Sequence, residues 1–475
     1  MSADAPVIEL MTRAAVAAAR DAGSSGLLPC IDRITVPQGS WSLTDPARTL
    51  ARRIGAGGAH TVLSEVGVSQ QEIVNETLAA IARGECDLVL VVGGEARGFA
   101  RRGGTEDDEE KAPPDRTVTR PADFVAPVEI AAGIVWPPVQ QYALIENALG
   151  RHEHLTATEQ RDEVSRLWAR FNEVAQRNPL AAFGTPMSAA EIATPARGNR
   201  PLAHPYNVWH ASQWTVDQAA ALLFCSAERA QEASVAKDRW VFPHVALHSS
   251  AAVTLTARRD LHRWPAMAAL GRATEDHLGL PLHALTLAEV YSCFPAAVRV
   301  QQRELGLDPA GTPTLTGGMT FAGGPFNNYV LQSGADLVRR LREEPTELGL
   351  ITTVSGMLSK PGLAVWSGTP PPQPGGPLVG DLATESLAAT PVRPVATPQS
   401  PGGRAGPAGP ATVISFTVTY APDDPWEPVR SAIVAELADG ERTAATCEDE
   451  AIARLANSEG LIGRGVHVKD TAFSL

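Results

Sequence analysis

The residues of this chain best placed to do chemistry lie in the glycine-rich stretch Gly317 to Asn328. Pro325 suits the first turn of a helix, and the N–H groups of a helix start have no intrahelical partner. Such donors suit an anionic or carbonyl oxygen. Asn327 and Asn328 add side-chain amide donors nearby. The competing reading is that the glycines only permit a tight turn. The histidines offer less. His204 and His210 flank Asn207 and Trp209, where they line a pocket or are simply satisfied in a core. His244 and His248 have i, i+4 spacing, but the alternation beside Pro243 fits a strand, on which that spacing makes no metal pair. The five cysteines (Cys30, Cys86, Cys225, Cys293, Cys447) are far apart and form no C-x-x-C pair, so neither a disulfide framework nor a zinc ribbon is indicated.

Elements that must position these residues are legible on both sides of the loop. Asp4 and Pro6 start a helix whose apolar positions Val7, Leu10, Met11, Ala14, Ala15 and Ala18 share one face, and Gly23 ends it. Ser69 caps a second helix with Ile73, Thr77, Leu78 and Ile81 on its inner stripe, and Gly84 suits its left-handed end. The run Leu88 to Val92, closed by Gly93 and Gly94, reads as a strand buried on both faces. From Phe99 to about Asn207 prolines, charges and loops dominate, an excursion outside the sheet. One helix interrupts it, with a Thr156/Glu159 capping box, a stripe from Val164 to Ala175 and a stop at Asn178-Pro179. The sheet pattern resumes at Asp217 to Ser226. A second α/β half follows, in which Pro325 opens a helix through Tyr329, Val330, Leu337 and Leu341 and Leu350 to Val354 is a buried strand. Helix, apolar strand and small residues thus recur in the order of residues 69–94, which implies an internal duplication.

Residues 370–410, dense in Pro, Gly, Ala and Thr, read as a linker unable to fold alone. Beyond them Ile414, Phe416, Val418 and Tyr420 alternate with polar residues, and further short strands with one helix near Glu448 to Ala456 predict a small barrel of the OB kind. A net charge of -13 opposes nucleic-acid phosphates, and its one dense charge run, Glu106 to Glu110, is acidic. No apolar run approaches the roughly 20 residues of a membrane span, and no signal-peptide pattern opens the chain. A cytoplasmic location is expected.

Three stretches together resemble the thiolase superfamily, most closely thiolase-like proteins related to the sterol-carrier-protein type. Glu76 to Glu95 (ETLAAIARGECDLVLVVGGE) is similar to the helix and strand that follow the thiolase nucleophile. Glu289 to Pro295 (EVYSCFP) is similar to the H-D-C-F segment of that subgroup. Thr316 to Asn328 (TGGMTFAGGPFNN) stands at the place of the G-G-x-x-x-x-G-H-P loop. The resemblance implies a layered α-β-α-β-α fold of two βαβ halves. It divides the chain into 1–100 with 206–235 as the first half, 101–205 as an inserted loop region, 236–369 as the second half, 370–410 as linker and 411–475 as an OB-like barrel. A thiolase half opens with a strand before its first helix; this chain starts at the helix, so the central strand of the first half is expected to be missing unless another segment substitutes.

The same resemblance bears on chemistry. Thiolases use a nucleophilic Cys, a His that activates it and a second Cys as acid and base. Carried over position by position, these fall on Gly67, Gly324 and near Gly356, and the first residue of H-D-C-F becomes Tyr291. Such groups act as a unit, so their joint absence argues against Claisen chemistry by the usual route. The resemblance further implies a CoA or acyl-CoA ligand with no tightly bound cofactor, contacts from Tyr291, Cys293, Gly323, Gly324, Asn327 and Asn328, and either a monomer or a thiolase-type dimer. Two alternatives stay open: an acyltransferase or thioesterase using Cys293 as a replacement nucleophile, and a non-catalytic interaction module.

Overall fold

The computed structural model describes residues 4–106, 108–121, 124–372, 376–388, 406–421 and 423–475. Three sheets organise it. The first contains β1 (Arg33–Pro37), β2 (His60–Ser64), β3 (Leu88–Ala96) and β4 (Arg116–Val118). After the short hairpin strands β5 (Pro201–Ala203) and β6 (Tyr206–Asn207), β7 (Asp217–Cys225) completes it in the order β4-β2-β1-β3-β7. The expected gap at the centre is therefore filled. β1 pairs in parallel with β2 on one side and β3 on the other. Its Ile34 and Val36 are fully buried, as a central strand demands. β3 and β7 pair antiparallel over their full length.

The second sheet holds β8 (Phe242–His248), β9 (Leu287–Glu289), β10 (Leu348–Ser355), β11 (Lys360–Ser367) and β12 (Leu378–Asp381), in the order β12-β8-β11-β10-β9. Two expectations need correction here. Residues 116–118 belong to the first sheet although they lie in the excursion. Likewise, within 370–410, Leu378–Asp381 adds a parallel edge strand to β8. That stretch cannot fold alone, but it can borrow the open hydrogen-bonding edge of an existing strand. Residues 373–375 and 389–405 of the linker lie outside the described residues.

The longer helices are α1 (Val7–Asp21), α2 (Pro46–Ile54), α3 (Gln70–Ala82), α4 (Val139–His152), α5 (Ala157–Ala175), α6 (Pro265–Leu278), α7 (Pro295–Glu304), α8 (Tyr329–Glu343) and α9 (Glu450–Glu459). α3 and α8 lie between the two sheets and touch strands of both, α1 and α2 cover the outside of the first sheet, and α6 covers the second. This is the expected α-β-α-β-α layering. The excursion holds two long helices, not one. α4 went unread because it is buried on nearly every side from Val139 to Gly150 and so shows no polar stripe. Among the described residues no helix is long and apolar enough to cross a membrane.

At the C-terminus β13 (Ala408–Tyr420), β14 (Pro428–Leu437), β15 (Arg442–Cys447), β16 (Gly465–Lys469) and β17 (Ala472–Ser474) close a five-stranded barrel, each strand paired with two others. The barrel is not a free appendage. Thr419 of β13 pairs with Ala203 of β5, so the hairpin of the excursion continues a barrel strand. The Asn147 amide donates to the Phe416 and His204 carbonyls at 2.8 and 3.0 Å, and Ser415 Oγ donates to the Leu144 carbonyl at 2.6 Å.

Candidate functional site

The expected site lies where α3 and α8 begin, between the sheets. At the start of α3, Ser69 Oγ accepts from the Glu72 N–H at 3.1 Å, the cap read from sequence. Gly67, just before it, has φ 110°, and a side chain there would meet nothing nearer than the Arg120 carbonyl at 3.9 Å. The place is open, but glycine offers it no functional group. α8 starts differently. A short 3₁₀ turn, Phe326–Asn328, intervenes between Pro325 and Tyr329. The Val330 N–H donates to Gln70 Oε1 at 2.8 Å, Gln70 Nε2 donates to Asn327 Oδ1 at 3.3 Å, and Asn327 Nδ2 donates to the Gln38 carbonyl at 3.3 Å. The amide of Asn327 and one helix-start donor are thereby spent on joining the two halves. Asn328 is 2 % exposed and its amide has no hydrogen-bond partner. It packs against β3, where a Cβ at Gly93 would come within 2.6 Å of Asn328 Oδ1.

The other two glycines singled out by motif are closed in by neighbours. The Gly324 N–H donates to the Gln213 carbonyl at 2.9 Å, and Ser212 Oγ occupies the space of any side chain at 324. Gly323, at φ 108°, is backed by the Gln218 amide. Gly356 has φ 57°, and a Cβ there would fall 2.7 Å from Cβ of Phe124. Ser212 precedes β7 and Phe124 comes from the excursion, so neither was visible in the motifs.

Tyr291 and Cys293 are both buried. Burial pushes the Cys293 thiol up to about 12, and its side-chain partner is the Tyr142 hydroxyl, which burial also raises. A thiol so placed, with a phenol and not an imidazole beside it, stays protonated at neutral pH. The Tyr291 N–H donates to Thr352 Oγ1 at 2.9 Å, and its ring meets that of Tyr329 edge-on at 5.9 Å. Sequence reasoning missed a buried carboxylate at the head of that motif. Glu289 accepts from Tyr329 OH at 2.6 Å, from the Leu315 and Thr316 N–H groups at 2.7 and 3.0 Å, and from Thr314 Oγ1 at 3.0 Å. Burial raises it from 4.5 to about 7 against the pull of those donors.

The histidines are structural. His210 Nδ1 accepts from the Asn207 N–H at 3.0 Å, which leaves Nε2 to donate to Ser165 Oγ at 2.9 Å; burial holds the ring down to about 3. His204 stacks on Phe416 of the barrel at 5.7 Å and is held down to about 4. His244 and His248 lie on β8, a strand, and face a backbone carbonyl and Asn75 respectively. Among the described residues no group of three or more His, Cys, Asp or Glu is placed to hold a metal ion. A cavity of about 20 Å³ between β1, β2 and α3, lined by Arg33, Thr35, Glu72, Glu76 and Thr77 among others, has room for about one water molecule.

Neither a protein-family model nor a curated protein matches the chain. Among solved structures it is similar to a monomeric SCP2-thiolase like protein type 1 from Mycobacterium smegmatis. The two share 28% identity at a TM-score of 0.82, over 99% of this chain and 95% of that one. The chain has a thiolase-like fold. Two further likenesses show the fold alone. The Ltp2-ChsH2(DUF35) aldolase matches at TM-score 0.57 and 18% identity, over 77% of this chain and 94% of that one. Human mitochondrial 3-ketoacyl-CoA thiolase matches at TM-score 0.52 and 16% identity, over the same shares, 77% and 94%. The likeness to the mycobacterial protein, which covers 99% of this chain, extends through the barrel.

Proposed function

We propose that this thiolase-like protein binds a CoA thioester and has little or no classical thiolase activity. The observation that carries the reading is the state of positions 67, 324 and 356. All three are glycine, and at two of them another residue, Ser212 or Phe124, stands in the side-chain space. Thiolysis and condensation need a thiolate, a base to form it and a group to move the α-proton. Cys293 is a poor replacement for them, because burial holds its thiol near 12 and the side chain it bonds is the Tyr142 hydroxyl. The ligand class is supported by the shared fold with a 3-ketoacyl-CoA thiolase.

Two measurements test this. Calorimetry with acetoacetyl-CoA should register binding, and the same protein incubated with acetoacetyl-CoA and free CoA should show no steady thiolytic rate. A rate abolished by Cys293→Ala would establish the active acyltransferase or thioesterase instead. Absence of binding up to roughly millimolar ligand, where a site of about -4 kcal/mol still registers, would favour the interaction module.

A further inference from the structure

One group of side chains beside the site has no part in the packing of the core. Trp136 is 66% exposed and Trp214 37%, with ring centroids 6.3 Å apart and planes at 63°. The Arg97 guanidinium lies over the Trp214 ring, 3.6 Å from its centroid. Among the described residues Arg97 makes no salt bridge, although the Glu95 carboxylate lies close enough to feel its charge. An exposed indole pair with a cation over one member is costly to leave in water and informative when found there.

The three residues come from three segments. Arg97 follows the end of β3, Trp136 belongs to the excursion, and Trp214 lies in the loop before β7. That last loop is tied to the glycine-rich stretch: the Gln213 N–H donates to the Met319 carbonyl at 3.1 Å, and the Gln213 carbonyl accepts from the Gly324 N–H at 2.9 Å. Ser212, whose hydroxyl fills the space at Gly324, is two residues from Trp214, a span of at most about 7 Å of chain. The aromatic pair therefore sits at the rim of the site described above.

We propose that Arg97, Trp136 and Trp214 form a recognition platform for a purine nucleotide, namely the adenine and phosphate end of the CoA thioester. The inference rests on the CoA reading and deepens it. A flat base stacks on an exposed indole whatever its edge pattern. A guanidinium held over Trp214 carries N–H donors in the fork geometry that fits a phosphate and distinguishes Arg from Lys. Two rings and one cation match the size of one base and one phosphate. They fall far short of the roughly 800 Å² per partner of a protein interface.

The test uses the full chain and three probes: adenosine 3′,5′-bisphosphate, acetoacetyl-pantetheine and acetoacetyl-CoA. The bisphosphate should bind, quench tryptophan fluorescence, and lose about tenfold in affinity in Trp136→Ala and in Arg97→Gln. Arg97→Lys should recover little and Trp214→Phe much, with circular dichroism unchanged in each. Acetoacetyl-CoA bound equally by all variants would overturn the platform and leave the CoA reading standing. Variant-dependent binding of the bisphosphate, with acetoacetyl-CoA no tighter and acetoacetyl-pantetheine silent, would keep the platform and sink the thioester reading. No binding of any probe would overturn both.

Discussion

The two helices that meet between the sheets begin in different ways. α3 secures its own start, with Ser69 one turn from the N–H it caps. α8 has no side-chain cap of its own. Its first residues are held from outside: Val330 by Gln70 of α3, Tyr329 by Glu289 of β9, and the preceding Asn327 by Gln70 and the Gln38 carbonyl. In a duplicated fold this asymmetry shows where the halves have diverged. The first half stands on local grammar, whereas the second completes its central helix with groups borrowed from elsewhere, Gln70 and Gln38 from the other half and Glu289 from its own. Tertiary context can override local preference at a helix end when it supplies the missing acceptor.

Glu289→Ala should break the contrast most severely. Removing the carboxylate takes the acceptor from two backbone donors and three hydroxyls in a buried place, at a cost of about 3 to 5 kcal/mol in urea unfolding. A loss below about 1 kcal/mol would show that the α8 start does not hang on Glu289. The same group makes α8 sensitive to pH. Its folded value is raised from 4.5 to about 7, so in that window the fold keeps a proton the unfolded chain has released. Its contribution is thus complete below about 4.5 and is lost as pH rises through about 7, with a slope of at most about 1.4 kcal/mol per unit. Glu289→Gln, though less stable overall, should flatten that part of the stability profile; an unchanged slope would assign the dependence to another group.

Gln70→Ala comes next, at about 1 to 3 kcal/mol, because it leaves the Val330 N–H buried and unpaired. Its signature in hydrogen exchange should be faster exchange at Val330, across the interface from the substitution, with the α3 amides little changed. The smallest effect belongs to Ser69→Ala, about 1 kcal/mol with faster exchange confined to the first turn of α3. If that substitution also loosened α8, the two starts would be coupled and the contrast between self-capped and borrowed would fail.

What could be read from the residues follows the same division. The Ser69 cap, the left-handed Gly84, the Thr156/Glu159 capping box and the buried run of β3 are all local patterns, and the structure shows each. β1 went unread because Arg33–Pro37 is a five-residue segment ending in proline, and only its central place between β2 and β3 makes it a strand. β12 is shorter still and exists by virtue of the edge of β8. At the site, the motif glycines were legible, but what fills the space beside them was not. Ser212 and Phe124 reach Gly324 and Gly356 from segments that share no pattern with them. Glu289 heads a legible motif, yet its partners come from two other parts of the chain, residues 314–316 and Tyr329.

The pairing of β5 with β13 also fixes when this molecule can become native. The Asn147 amide reaches the Phe416 carbonyl across 269 residues of sequence, and the barrel wall that seals the excursion is translated long after the excursion itself. A ribosome releases the sequence from its N-terminus, so α4 and the β5–β6 hairpin must wait unsealed while both halves and the linker emerge. Contacts of such long range make folding slow and leave apolar surface exposed during synthesis. Here that surface includes Leu144 and Tyr206, both fully buried once the fold has formed. The barrel is thus a closing clasp on biogenesis: a chain truncated before β13 would keep the residues of its candidate site and lose the wall that holds the excursion against them.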